Sequence, residues 1–259
     1  MTNPKVQTIS INGIRHYKHP NIKNMVAPSV TSIVGMLPSP YLPKWNSKVT
    51  AEAAINEREH IDSLLGVAGG KVKAIDWLKA AAERELNKAA DTGTRVHEAI
   101  EQLIIDPDYK YDDDLLPYLH GFWEFEKRFE PEWIHVEKSI FSITHNYAGS
   151  FDAICKINDK KILLDFKTTR SGISAKVALQ LAAYANADVL FDGNEEIPMP
   201  KVDGGAALLL RPDKWSYQPL RIDDDIFATF LALRRTFEWE SRQSKTAMLA
   251  PIPHKGLLL

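Results

Sequence analysis

Two aspartates and a lysine stand out for the chemistry they could do together. Gly149-Ser150-Phe151-Asp152 is followed, thirteen residues after Asp152, by Asp165-Phe166-Lys167. Residues i and i+2 of a β-strand share a face, so Asp165 and Lys167 point the same way. If the two segments are neighbouring strands of a meander, Asp152 converges with them. Carboxylate oxygens are hard ligands that suit Mg²⁺ or Mn²⁺, ions that keep positions open for water and phosphate. Such an ion lowers the pKa of water and neutralises phosphodiester charge, while an ammonium orients the nucleophile or stabilises the phosphoryl oxygens. An isolated Asp-x-Lys triplet is an ordinary surface ion pair. Here Asp165 follows the apolar run Ile162-Leu163-Leu164, and Asp152 lies between Phe151 and Ala153-Ile154. An unpaired carboxylate is costly in such a strand.

Weaker signals flank this set. In a helix starting near Asp91 or Thr92, Val96, Ala99, Ile100 and Leu103 form an apolar face. His97 and Glu101 lie i,i+4 on a side of their own. Gln180 and Tyr184 repeat that spacing on the helix after the Asp-x-Lys strand, and taken alone both pairs are ordinary helix-surface decoration. Thr168 and Thr169 are placed to bond a phosphate or to close the turn after Lys167. Arg95, Arg170 and Lys44 offer cations to a strand, and Tyr17, Tyr41 and Trp45 offer stacking faces for unpaired bases. Phe122, Trp123, Phe125 and Phe129 fall at helical spacing and read as core.

These residues need elements to hold them. Residues 5–17 alternate apolar and polar around Asn12-Gly13, a hairpin signal. Ser29–Leu37 predicts a short helix stopped by Pro38 and Pro40. Helical patterns run from Leu42 to Leu65 and from Lys71 to Ala90, then to Ile105 from a cap at Asp91 or Thr92, and from Leu115 to Phe129. After Trp133 come three strand-like runs, at 134–143, 150–157 and 161–168, joined by turns at 145–149 and 158–160. A helix over 174–190, two strands at 204–211 and 215–222, and a helix over 223–242 complete the chain. The order predicts an α+β fold: a mixed central sheet with flanking helices and an N-terminal helical extension. It forms a single domain over 1–259, with an arm and helical region (1–91), a core (92–243) and a tail (244–259).

Composition narrows the class. The 259 residues are 44% apolar and 25% charged, ordinary for a globular chain and unlike a disordered, collagenous or coiled-coil one. No uncharged apolar stretch reaches the ~20 residues of a membrane span. The N-terminus lacks a secretory apolar core, so a cytoplasmic setting, bacterial or in a phage-infected host, is expected. Cys155 is the only cysteine, which excludes an internal disulfide, a four-cysteine zinc site and an iron–sulfur cluster held by one chain. The net charge of −2 hides an asymmetry. Residues 1–51 hold Lys5, Arg15, Lys18, Lys23, Lys44 and Lys48 with no acid, whereas the rest carries −8. An acid-free basic arm suits a polyanion. The acidic loop at Asp106, Asp108 and Asp112–Asp114 reads as a solvated connection.

In this order, Gly93-Thr94-x-x-His97, Gly149-x-x-Asp152, Asp165-x-Lys167-Thr168 and Gln180-x-x-x-Tyr184 resemble the RecB-type branch of the PD-(D/E)XK nucleases. That branch includes CRISPR-associated, phage and mitochondrial genome-maintenance exonucleases. The resemblance covers roughly residues 92–185. Ser29-Val30-Thr31-Ser32-Ile33 is similar to the N-terminal helix opening of the phage and mitochondrial members. It implies a restriction-endonuclease-like core and a metal-dependent DNA exonuclease. His97, Asp152, Asp165 and the backbone carbonyl of Phe166 would bind Mg²⁺ or Mn²⁺, with Lys167 as the catalytic lysine. Gln180 and Tyr184 would support the site or touch the DNA backbone, and Glu137 stands about where the family has an acid for a second metal. Phe151 replaces the proline of the family name, as is common in this branch. Relatives with an iron–sulfur cluster carry four cysteines, which Cys155 cannot supply. The alternatives are an idle nucleic-acid-binding module on the same fold, a structure-specific endonuclease, and a structural or assembly protein with a fortuitous motif.

Overall fold

A computed structural model describes residues 6–193 and 195–250. Lys5 and the end of the tail, 251–259, lie outside the described residues. The chain opens with a hairpin, β1 (Thr8–Ile11) and β2 (Ile14–Lys18), whose turn has left-handed φ at Asn12 and Gly13 (53° and 78°). Two consecutive left-handed residues give the turn whose twist matches that of the strands, and Asn-Gly is the dipeptide that accepts it. A third strand, β3 (Val26–Pro28), pairs with β2 and was not legible in the sequence. Ser29 then caps α1 (Val30–Val34) by accepting from the Ser32 amide.

The predicted helix 42–65 is two helices, α2 (Leu42–Asn56) and α3 (Arg58–Leu65), broken at Glu57. After α4 (Gly70–Lys79) comes a larger departure. α5 runs unbroken from Ala81 to Ile105, so no helix starts at Asp91 or Thr92. The hydroxyls that would cap such a start bond backward instead, Thr92 to the Lys88 carbonyl (3.1 Å) and Thr94 to that of Ala90 (3.0 Å). Satisfied inside the helix, they give it no reason to begin there. The extension is tied to α5 by a clasp on Trp77. The Arg84 guanidinium lies 3.7 Å from the Trp77 ring centre and donates to the Trp77 carbonyl (2.6 Å). Trp77 Nε1 and Arg84 both donate to Glu57 Oε2.

α6 (Leu116–Phe129) precedes the meander β4 (Glu132–Ser142), β5 (Tyr147–Ile157) and β6 (Lys160–Lys167), as expected. α7 (Lys176–Ala185) is shorter than predicted, because Val189–Asp192 is a strand, β7, in a hairpin with β8 (Glu195–Pro198). The run was misread because Val189, Leu190 and Phe191 of β7 are consecutive apolar residues with no alternation. β9 (Gly204–Arg211), β10 (Lys214–Leu220), α8 (Asp224–Glu238), a π-helical turn and α9 (Ser244–Ala247) follow. The seven-stranded sheet is ordered β10-β9-β6-β5-β4-β7-β8, and only β6–β9 is parallel. It is a mixed sheet in an α+β fold. α5 and α6 cover one face through Val96, Ile100, Phe122 and Phe125, packed on Cys155, Leu164 and Phe166. α1, α7 and α8 cover the other through Ile33, Leu181 and Phe230, packed on Ile154, Leu163 and Ala207. No helix among the described residues is long and apolar enough to cross a membrane.

The small N-terminal sheet is pinned to the large one by His19, whose buried ring packs edge-on to Phe141 and Phe191 (4.8 and 5.3 Å). His19 Nδ1 accepts from the Asn21 and Ile22 amides (3.2 and 3.1 Å), which puts the proton of the neutral ring on Nε2. Burial lowers its pKa below 6.5, while Glu196, 3.9 Å from Nε2, works weakly the other way. Protonation is therefore disfavoured in the folded state alone. The stability this confers is complete above the unfolded value and is lost as pH falls through 6.5 toward the lower folded value. His19→Gln keeps an acceptor for the two amides and does not titrate. Urea unfolding from pH 7.5 down to 5 should show a steeper loss for the wild type; parallel curves would refute this role.

Candidate active site

The two aspartates occupy a fork in the sheet. β5 and β6 are paired from Ile157↔Lys160 up to Ala153↔Leu164, and there the pairing stops. The next rung would set Asp152 opposite Asp165. Beyond it β5 stays with β4, through Phe151↔Lys138 to Tyr147↔Ser142, whereas β6 stays with β9, through Asp165↔Ala207 to Lys167↔Leu209. The separation leaves a strand amide without its partner, and the Asp152 carboxylate supplies one: the Phe166 N–H donates to Asp152 Oδ2 at 2.6 Å. Glu137 sits on β4 at the position facing Asp152, in a gap of the β4–β5 pairing, with a left-handed φ of 47°. Such a backbone in a non-glycine residue stores about 1–3 kcal/mol, and strain of this kind gathers at functional sites.

Asp165 is 2% exposed. Its Oδ2 is 2.5 Å from Lys167 Nζ, an ion pair without hydrogen-bond alignment, so that oxygen lacks a hydrogen bond. Its Oδ1 accepts from Gln180 Nε2 (3.1 Å), which also reaches the Tyr184 hydroxyl (3.3 Å). Burial, and then the neighbouring Asp152 charge, push the Asp165 carboxyl up against the pull of Lys167. Burial acts on Asp152 in the same sense, but His97, Lys167 and the Phe166 amide outweigh it and hold Asp152 below the usual carboxylate range. His97 Nδ1 lies 3.6 Å from Asp152 Oδ1. Burial alone would lower the imidazole, and the Asp152 carboxylate reverses this to raise it. Two environments thus separate two carboxyl groups on adjacent strands.

α5 brings His97 to the fork, its ring edge-on to Phe166 at 5.9 Å. Gly93, one turn earlier, allows a close approach: a Cβ there would meet Thr168 Oγ1 at 3.1 Å, a contact that a shift of a few tenths of an ångström would relieve. Gly149 has the same function toward α7, since a Cβ would stand 2.5 Å from Tyr184 Cε1. Gly93, His97, Asp152, Asp165 and Lys167 floor a groove of about 1770 Å³ whose walls include Arg15, Tyr41 and Trp45 of the N-terminal region and Lys88 of α5. A single small ligand fills about 300–1,000 Å³, so the groove suits something longer.

The remaining expected residues divide. Phe166, Thr168, Thr169, Arg170, Trp45 and Gln180 line the groove, and the Thr169 hydroxyl closes the turn by donating to the Gly172 carbonyl (2.8 Å). Tyr184 is buried and touches only protein, so it supports Gln180 and does not meet a ligand directly. Lys44 is absent from the lining. Arg95 does not line the groove either; its guanidinium is held by Asp114 and Asp112 of the acidic loop (2.6–2.8 Å). That loop is an anchor for α5 and not merely a solvated connection. Arg211 was missed. It donates to the Arg170 carbonyl (3.0 Å) and steadies the loop after Lys167. Only the parallel register Lys167↔Leu209 brings it there, and no local pattern announces that register.

The donor set suits a hard divalent cation: two carboxylates, an imidazole, and an Asp165 oxygen that is buried and lacks a hydrogen bond. As they stand, no three His, Cys, Asp or Glu side chains among the described residues are gathered closely enough to hold one. Lys167 and His97 instead pair with the oxygens that a cation would take. No protein-family model and no curated protein matches this chain. Among solved structures it is similar to the crystal structure of SSO0001, with 18% identity over 61% of this chain and 71% of that one and a TM-score of 0.28.

Gly149→Ala should force Tyr184 from its seat. The expected loss of about 1–3 kcal/mol in denaturant unfolding should exceed that for Tyr184→Phe, which removes only the hydroxyl and about 0.5–1.5 kcal/mol. Equal stability of Gly149→Ala and wild type would show that α7 is not seated this way.

Proposed function

We propose that the chain is a divalent-metal-dependent nuclease that hydrolyses phosphodiester bonds in DNA, an exonuclease of single-stranded or end-containing substrates in recombination, repair or phage DNA processing. The observation that carries this reading is the fork, where Asp152 and Asp165 meet Lys167 and His97 on the floor of a groove too large for a small ligand. The ordered motifs that resemble RecB-type PD-(D/E)XK nucleases support the same reading. Asp152, Asp165 and His97 would hold Mg²⁺ or Mn²⁺, with Phe166 beside them and Glu137 facing Asp152. The ion would supply an activated water and neutralise charge on the scissile phosphodiester. Lys167, beside Asp165, would donate to the phosphoryl oxygens or orient the attacking water. Gln180, braced by Tyr184, keeps Asp165 pointed into the groove. Asp152 holds the Phe166 amide and so fixes the fork itself.

One observation favours a second reading, a binding module without catalysis: both carboxylates are already partnered, Asp165 by the Lys167 ammonium and Asp152 by the His97 imidazole. Linear and circular DNA, single- and double-stranded and labelled at either end, incubated with Mg²⁺, Mn²⁺ or EDTA, separates the two. Metal-dependent loss of linear DNA alone is expected, reduced at least about 100-fold in Asp165→Ala. Cleavage of circles would make it an endonuclease. Intact DNA in every lane would move the weight to the binding module, or to an enzyme missing its partner.

A further inference from the structure

Most cations facing the groove are already matched by acids. Lys167 pairs with Asp165 (2.5 Å), Arg84 with Glu57 (3.2 Å), Arg211 with Asp213 (3.2 Å) and Lys48 with Glu52 (3.5 Å). A matched pair has little net charge to offer a phosphate. Arg15, Lys88 and Arg170 also face the groove, and among the described residues none of them has a carboxylate within 4.0 Å. Resting on the nucleic-acid reading above, we propose that these three form the phosphate track of the groove, each meeting one phosphate of a bound single strand.

Their placement suits this role. Arg170 stands three residues beyond Lys167, at the chemical end, on a loop that Arg211 holds through the Arg170 carbonyl. Lys88 stands nine residues before His97 on the same unbroken helix, about 13.5 Å along its axis at 1.5 Å per residue. Arg15 projects from β2, where its guanidinium donates to the Thr31 hydroxyl (3.1 Å) and lies 5.9 Å from the Tyr17 ring centre. The three thus come from a loop, a helix and a strand. Lys18, Lys23 and Lys44, which the acid-free N-terminal segment also supplies, are not among the lining residues. An unmatched cation that meets a phosphate releases a condensed counterion, and the signature is a salt slope.

The test is fluorescence anisotropy of a labelled oligothymidylate bound to the full chain in EDTA, from 50 to 200 mM salt. Each phosphate on a single strand contributes about −0.7 to the slope of log K against log salt, so the wild type should show about −2. Arg15→Gln, Lys88→Gln and Arg170→Gln should each remove about 0.7, and the triple variant nearly all of it. The triple variant Lys18→Gln, Lys23→Gln, Lys44→Gln should keep the wild-type slope. If the two triple variants lose equal slope, or the second loses more, the track is wrong. Single variants and a thermal midpoint for each guard against misfolding. Cleavage with Mg²⁺ but an unaltered slope in the Arg15/Lys88/Arg170 variant would overturn the track and leave the nuclease reading standing. The expected slopes without cleavage would do the reverse, and a wild type that fails to bind the oligonucleotide would overturn the track.

Discussion

Where β5 and β6 diverge, one hydrogen bond spans the gap, and the architecture of the site depends on it. A strand that leaves its neighbour exposes amides that must find another partner, at a cost of about 1–3 kcal/mol for each one buried and unmet. The Phe166 amide finds the Asp152 carboxylate. That bond lets the sheet split without unravelling, and it fixes a carboxylate at the apex of the split. Neither β4 nor β9 could follow the divergence alone. β4 absorbs its share through the left-handed backbone of Glu137, and β9 absorbs its share by running parallel to β6 past the apex. α7 braces the opening, with Tyr184 seated on Gly149 and Gln180 holding Asp165. Hydrogen-bond satisfaction and site construction are here the same problem, solved by the same side chain.

Burying two carboxylates side by side is unfavourable unless each is matched. The fold matches them asymmetrically, Asp152 by His97 and an amide, Asp165 by Lys167 and a neutral amide side chain. The asymmetry follows from the elements that deliver the partners. His97 arrives on a helix packed against one face of the sheet, and Lys167 comes from the same strand as Asp165. Asp165, the more deeply buried, is accordingly the group whose proton affinity rises. Its partners are also the ones most easily exchanged, since a lysine side chain has the length and flexibility to move aside.

Much of this was legible in the residues. Strand-like runs bounded by turn residues located β4, β5 and β6, and the convergence of Asp152, Asp165 and Lys167 followed from a meander with short turns. The Asn12-Gly13 hairpin and the Ser29 cap were local signals with local mechanisms. What escaped was decided by partners distant in sequence. α5 passes through Asp91 and Thr92 because hydroxyls that favour a cap can also bond one turn back, and only packing chooses. β7 escaped because its consecutive apolar residues, Val189 to Phe191, look like the end of a helix. The sequence-level charge count found the basic arm but not which of its residues turn inward: Arg15 does, Lys44 does not. Arg95, plausible as a grip on a strand, is spent on Asp112 and Asp114, an ion pair that no spacing rule connects.

The continuity of α5 has a mechanical meaning. One rigid rod carries Arg84 of the clasp, Lys88 of the wall, Gly93 against the loop after Lys167, and His97 at the fork. Wall and imidazole are therefore rigidly connected. A tilt of about 4° pivoting near Lys88 displaces His97 by about 1 Å over the intervening 13.5 Å or so. In the nuclease proposed above, a displacement of that size at the fork would be worth about a hundredfold in rate. As one rod, α5 ties the wall of the groove at Lys88 to the imidazole at the fork.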